Sequence, residues 1–109
     1  MLPQIVNVLG LHFHVREEPI ESQPNGTKTF GYIDWVDGEI VIASNQMDDH
    51  KRICLLHEAL HAVSDTGNIR LSETQITTMA FVLDHFLSDN PALLEMYDLR
   101  AGVDLALDV

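Results

Sequence analysis

Hydrophobic and polar positions change their period once along the chain, close to residue 45. Before that point the pattern is that of strands. Residues 5–9 and 11–16 are rich in Val, Ile, Leu and Phe, with Gly10 between them as a turn or bulge. Residues 17–27 are polar and carry two prolines and Asn25-Gly26, a strong turn signal. Residues 29–36 and 39–43 read as two further strands joined at Asp37-Gly38, which favours a tight hairpin. Beyond residue 45 the period becomes helical: Ile53, Leu56, Leu60 and Val63 recur on one face of a helix spanning 47–66. Ser44 or Asn45 is placed to cap its start, Asp48 and Asp49 suit its positive end, and Gly67 ends it. Ser72-x-x-Gln75 is a capping box that opens a second helix, with Ile76, Met79, Ala80, Leu83 and Leu87 as its buried stripe. Asn90-Pro91 starts a short third helix. The tail after Arg100 alternates acidic and apolar residues and predicts no element.

Strands first and helices afterwards predict an α+β domain. Its small antiparallel sheet lies in the N-terminal half, with two long helices packed on it and a short third helix beyond. The length of 109 residues suits one domain, β-rich over 1–45 and helical over 46–99, with a tail at 100–109. Composition narrows the function classes more than the fold. Seventeen acidic residues against six basic ones give a net charge of −11, which repels phosphate backbones and argues against nucleic-acid binding. Cys54 is the only cysteine, so an internally cross-linked secreted scaffold is excluded. Met1-Leu2-Pro3-Gln4 lacks the basic start and apolar run of a signal peptide, and no stretch approaches the about 20 apolar residues that span a bilayer. A cytoplasmic protein that does not engage membranes is expected.

The chemistry is concentrated in His57-Glu58-Ala59-Leu60-His61, an H-E-x-x-H sequence inside the first predicted helix. Positions four apart project the same way, so both imidazoles can hold one zinc ion while Glu58 reaches a water on it. A catalytic zinc site needs a third protein ligand and an open fourth position. Glu73 is the leading candidate, on the first turn of the second helix and in line with the stripe facing the first. The helix dipole alone also favours an acid there.

Several other residues compete. Asp65 shares the motif face, as do Cys54 and His50, but three ligands on one straight helix spread along about 12 Å of axis. Asp84 and His85 flank the second helix's apolar stripe. His12 and His14 share one strand face and suit an exposed sheet surface, and Trp35 suits a cover for the sheet edge. With His57, His61 and Glu73 as ligands, Glu58 would act as general base in peptide hydrolysis, and Tyr32 or Tyr97 could serve as a second electrophile. Strand 39–43 could offer an open edge to an extended peptide.

Residues 31–91 resemble the small phage and bacterial zinc peptidases related to the ImmA/IrrE type. The resemblance rests on Gly31-Tyr32-Ile33-Asp34 with Glu39-Ile40-Val41-Ile42, then Leu55-Leu56-His57-Glu58-Ala59-Leu60-His61-Ala62-Val63. It continues through Leu71-Ser72-Glu73-Thr74-Gln75-Ile76 to Asp89-Asn90-Pro91. It implies a minimal zincin fold of gluzincin type, with His57, His61 and Glu73 as zinc ligands and Glu58 as base. It further implies cleavage of DNA-binding regulators, as befits a phage or mobile-element protein acting in a bacterial cytoplasm. Thr74 and Gln75 stand where larger members carry acids, which makes Glu73 more necessary. No helix-turn-helix or sensor region accompanies the motif. The reading is therefore a zinc-dependent endopeptidase whose partner is a peptide or protein substrate. The alternative is a zinc-stabilised, phage-encoded interaction module that does not cleave, in which Glu58 would be dispensable.

Overall fold

The computed structural model describes residues 1–20 and 30–98. Strand β1 (Ile5–Val8) turns back on β2 (Leu11–Glu18) as an antiparallel hairpin, with Val8 opposite Leu11. Strands β3 (Gly31–Asp34) and β4 (Glu39–Ala43) form a second hairpin, with Asp34 opposite Glu39. Residues 35–38 close it, a longer connection than the tight turn expected at Asp37-Gly38. Asp34 Oδ1 holds that connection by accepting the N–H groups of Val36 and Asp37, each at 3.0 Å.

The α+β class expected from the sequence is the one observed, but the sheet is mixed. Its order is β1-β2-β4-β3, and β2 runs parallel to β4 with His14 opposite Glu39 and Glu18 opposite Ala43. The reason lies in β4. Ile40, Val41 and Ile42 are each 0% exposed, and a strand apolar on both faces is driven to the centre of a sheet. Residues 19–30 are long enough to carry the chain across so that the second hairpin returns beside β2 in the parallel sense. The strand that the sequence offered as an open edge is thus paired on both sides, and the edge on that side of the sheet belongs to β3.

Helix α1 (Asp48–Thr66) lies against the sheet, its Leu55 and Ala62 packed with Val8, Phe13, Ile40 and Ile42. Helix α2 (Glu73–Asp89) covers the other side of α1, where Leu60 meets Ile76 and Ala80, and α3 (Pro91–Asp98) packs on α2. The two long helices are therefore successive layers, with only α1 directly on the sheet. Complete burial of the Ile76 side chain contributes about 1.5–3 kcal/mol to that second layer. Met79, expected in the buried stripe of α2, is exposed, and Asp84 is buried in its place. Arg52 reaches across from α1 and grips both oxygens of Asp84, Nε to Oδ1 at 2.6 Å and Nη2 to Oδ2 at 3.0 Å. The guanidinium holds the Asp84 carboxyl below the usual carboxylate range.

The caps differ in part from the sequence expectation. Met47 is the N-cap of α1 and supplies no side-chain bond, while Asn45 exchanges two bonds with the backbone of Ile20 at 3.3 and 3.2 Å. Asn45 thus ties the exit of β4 to the end of β2 instead of capping α1. Gly67 does end α1, and the Ser72–Gln75 capping box is formed. Asn90 closes α2, its side chain donating to the Phe86 carbonyl at 2.7 Å. None of the described helices is long and apolar enough to cross a membrane. The turn at Asn25-Gly26, the start of a strand at Thr29 and the tail at 100–109 lie outside the described residues.

Candidate metal centre

The centre is built by the elbow between α1 and α2. At the end of α1 the Gly67 N–H returns to the Val63 carbonyl at 2.8 Å, and Asn68 and Arg70 take left-handed φ values of 54° and 63°. Left-handed backbone is strained for residues with a Cβ, so the elbow needs anchors. Ser64, buried at the last turn of α1, provides two: its carbonyl accepts from Ile69 N–H at 2.9 Å and its Oγ from Leu71 N–H at 2.8 Å. The capping box then starts α2, with Gln75 N–H on Ser72 Oγ at 3.1 Å and Ser72 N–H on Gln75 Oε1 at 2.8 Å. The next residue in the chain, the first of α2, is Glu73.

This elbow brings Glu73 onto the two motif histidines. Oε1 of Glu73 lies 2.8 Å from His57 Nε2, and Oε2 lies 2.8 Å from His61 Nε2. The two imidazole nitrogens are 3.2 Å apart. Two zinc-bound imidazoles at tetrahedral angles would set their nitrogens about 3.3 Å apart, given Zn–N bonds of about 2.05 Å. The donor chemistry also fits. If protons made both contacts to Glu73, two N–H groups would face each other across 3.2 Å, whereas one cation between the three side chains satisfies all of them. Two imidazoles and one carboxylate are a zinc donor set, and among the described residues the group contains no fourth protein donor.

Glu58 sits half-buried beside this group. Burial pushes its carboxyl above the ordinary carboxylate range; the imidazoles of His57 and His61 oppose the rise, and the Glu73 charge adds to it. A groove of about 620 Å³ opens from His57, Glu58 and Glu73 and runs between α1, α2 and the start of β3. Gly31 forms part of its wall. A Cβ there would stand 3.0 Å from the Val41 carbonyl oxygen and 3.3 Å from Cys54 Sγ, so glycine permits the close approach of β3 to α1.

The rival ligands lie elsewhere. Asp65 and His85 are exposed and outside the convergent group, and Asp84 is committed to Arg52. Cys54 and His50 line the groove without joining the donors, and burial pushes the Cys54 thiol up to about 11. His12 and His14 are exposed on β2, His12 bonded to Asn7. Trp35 packs edge-on against Phe13, with centroids 5.5 Å apart. Neither tyrosine lines the groove. Strand alternation puts Gly31 and Ile33 on the α1 side, so Tyr32 faces away, and its hydroxyl donates to Glu18 Oε1 at 2.8 Å. Tyr97 is exposed on α3.

Sequence reasoning missed the groove and its aromatic wall. The available signal was a spacing of four: Glu73, Thr77 and Phe81 form one stripe along α2, and all three line the groove. Ser64 as anchor of the elbow left no sequence signal, because a serine late in a helix is ordinarily neutral. Comparison of the chain with protein-family models, with curated proteins and with solved structures yields no match.

Proposed function

We propose that the chain is a zinc-dependent endopeptidase, with His57, His61 and Glu73 as the metal ligands and Glu58 as the general base. One observation carries this reading: the three donors converge from two helices with no fourth donor among the described residues, beside a half-buried carboxylate at the mouth of a groove. In this reading His57 and His61 present Nε2 to the ion and keep their protons on Nδ1. Glu73 closes the set with one negative charge. Zinc bound there supplies Lewis acidity, polarising a peptide carbonyl and bringing a water's pKa from about 16 to about 7. Glu58 takes the proton from the attacking water and delivers it to the departing amine. Its partial burial suits that exchange, since a base above the ordinary carboxylate range both accepts and returns a proton more readily near neutrality. Among the described strands β3 is an edge, it borders the groove at Gly31, and this supports the pairing of an extended substrate there. A regulatory protein of a phage or mobile element, cut in a bacterial cytoplasm, is the substrate this reading favours.

A second reading is a zinc-stabilised interaction module that does not cleave. It is favoured by the placement of Tyr32 and Tyr97 off the groove, which leaves no tyrosine there as a second electrophile. One substitution separates the two. Glu58→Gln keeps the fold and stoichiometric zinc in metal analysis, and it lowers cleavage of a mixed peptide library by about 10²- to 10⁴-fold. Undiminished cleavage by that variant rules out the mechanism, and zinc binding without cleavage by the unaltered chain selects the second reading.

A further inference from the structure

The groove has a chemical character beyond its metal end. Its walls come from three elements: Phe30 ahead of β3, Ile53 on α1 and Phe81 on α2. Phe30 is 50% exposed and Phe81 is 56% exposed, so two aromatic rings offer much of their surface to water across one depression. Val36 and Met96, also exposed, are not part of this lining. The ring of His85 packs edge-on against Phe81, with centroids 4.6 Å apart, and braces it from outside the groove. A volume of about 620 Å³ falls within the range of about 300–1,000 Å³ typical of ligand sites and exceeds the needs of a single side chain.

Charge selects the rest of the occupant. Among the described residues the lining carries no Lys or Arg, and with zinc bound the charges of Glu58 and Glu73 offset those of the ion, so that the overall charge of the chain sets the field. The cations of α1 nearest the groove are already engaged. Lys51 pairs with Glu17 at 2.7 Å and Asp48 at 3.8 Å, and Arg52 pairs with Asp84 and Asp49. With the chain at −11 overall, an acidic ligand is repelled and a basic one drawn in.

We infer that the groove selects an extended peptide by one bulky apolar side chain, seated between Phe30, Ile53 and Phe81 and flanked by basic residues. The inference takes its occupant from the peptidase reading and adds the substrate class. An apolar pocket of this kind discriminates one missing methylene by about 10- to 200-fold, so a Leu or Phe seated there outcompetes Ala or Gly by at least the lower figure.

The test uses the full-length, zinc-loaded chain with Glu58 intact, and binding is read by stopped flow before appreciable turnover. Fluorescein-labelled decapeptides carry Leu, Phe, Ala or Gly at the centre and either Lys or Glu flanks, and affinity is read by anisotropy. The expected result is binding of the Leu and Phe peptides at least about tenfold tighter than Ala or Gly. The Lys-flanked series binds more tightly than the Glu-flanked series, with the gap narrowing as salt rises. Adding Phe81→Ala or Phe30→Ala, both at exposed positions that the core does not need, removes the Leu-over-Ala preference, and Val36→Ala leaves it intact. Equal affinity for all four centres, a preference that survives both Phe substitutions, or equal affinity for acidic flanks overturns the inference. Cleavage of the same peptides by the unaltered chain is scored separately. Selective binding without any cleavage sinks the peptidase reading and leaves the groove's selectivity standing.

Discussion

Among the described residues, two places gather three side chains able to hold a metal ion: His57, His61 and Glu73 at the helical elbow, and Asp34, Asp37 and Glu39 at the β3–β4 turn. By proximity the two are equals. They differ in what their lone pairs already do. Asp34 Oδ1 accepts two backbone N–H groups that shape the turn, and Glu39 Oε2 accepts from Arg16 Nε at 3.0 Å. Arg16 also bonds Glu18, which receives the Tyr32 hydroxyl, so that face of the sheet carries its own counter-charge. At the elbow the three donors converge, Glu73 on each imidazole at 2.8 Å and the two imidazole nitrogens 3.2 Å apart. Two of the turn's three carboxylates have committed an oxygen to structure, whereas the elbow's three donors are directed at one another. Prior commitment of lone pairs, more than spacing, separates a site from a coincidence.

Breaking the elbow at its ligands gives the largest expected effect. His61→Ala and Glu73→Ala each weaken zinc binding by about a thousandfold or more, beyond the about 10- to 100-fold contributed by supporting residues. Competition against a chromophoric chelator measures the loss. On the proposed reading zinc stabilises the unaltered chain by about 4 kcal/mol at free zinc of about 1,000 times Kd, and the same variants are expected to lose that stabilisation in thermal melts. Unchanged affinity in Glu73→Ala would remove that residue from the ligand set. A smaller effect comes from the anchor. Ser64→Ala frees the Leu71 N–H, costs about 1 kcal/mol of stability and weakens zinc about tenfold, because Glu73 is then less well placed. Ser64→Thr, which restores the acceptor, recovers more than half of the lost affinity. If Ser64→Ala lowers the melting temperature and leaves zinc affinity intact, the serine merely supports the fold. The smallest effect is at the turn: Asp34→Asn and Asp37→Asn change zinc affinity less than about twofold. A larger change would make the two clusters chemically alike.

What could be read in advance follows the range of each interaction. The elbow was legible because its determinants are local: His57 and His61 stand one turn apart on a helix, and the Ser72–Gln75 box fixes where α2 begins. The separate strands and helices were legible for the same reason. Pairing between the hairpins was not, because residues 19–38 separate β2 from β4 and no local signal distinguishes a parallel from an antiparallel neighbour. Val41 is the position that carried a hint, since a strand buried on both faces belongs at the centre. No signal in the sequence selected Tyr32 or Tyr97 as a second electrophile, and the pleat turns Tyr32 to the opposite face. Asp84 reads as surface until its partner Arg52, 32 residues earlier, is brought alongside. The groove escaped because Phe30, Ile53 and Phe81 belong to elements that only the tertiary fold assembles.

The central position of β4 also bears on the order in which the molecule can be made. As the chain emerges, the first hairpin must wait for its inner neighbour, and that neighbour arrives immediately ahead of the helix bearing both histidines. Completion of the sheet and docking of that helix therefore fall together, and the convergence of Glu73 on the two histidines follows as a later step. A nascent chain halted before residue 73 would have a finished sheet but lack the carboxylate needed to retain an ion.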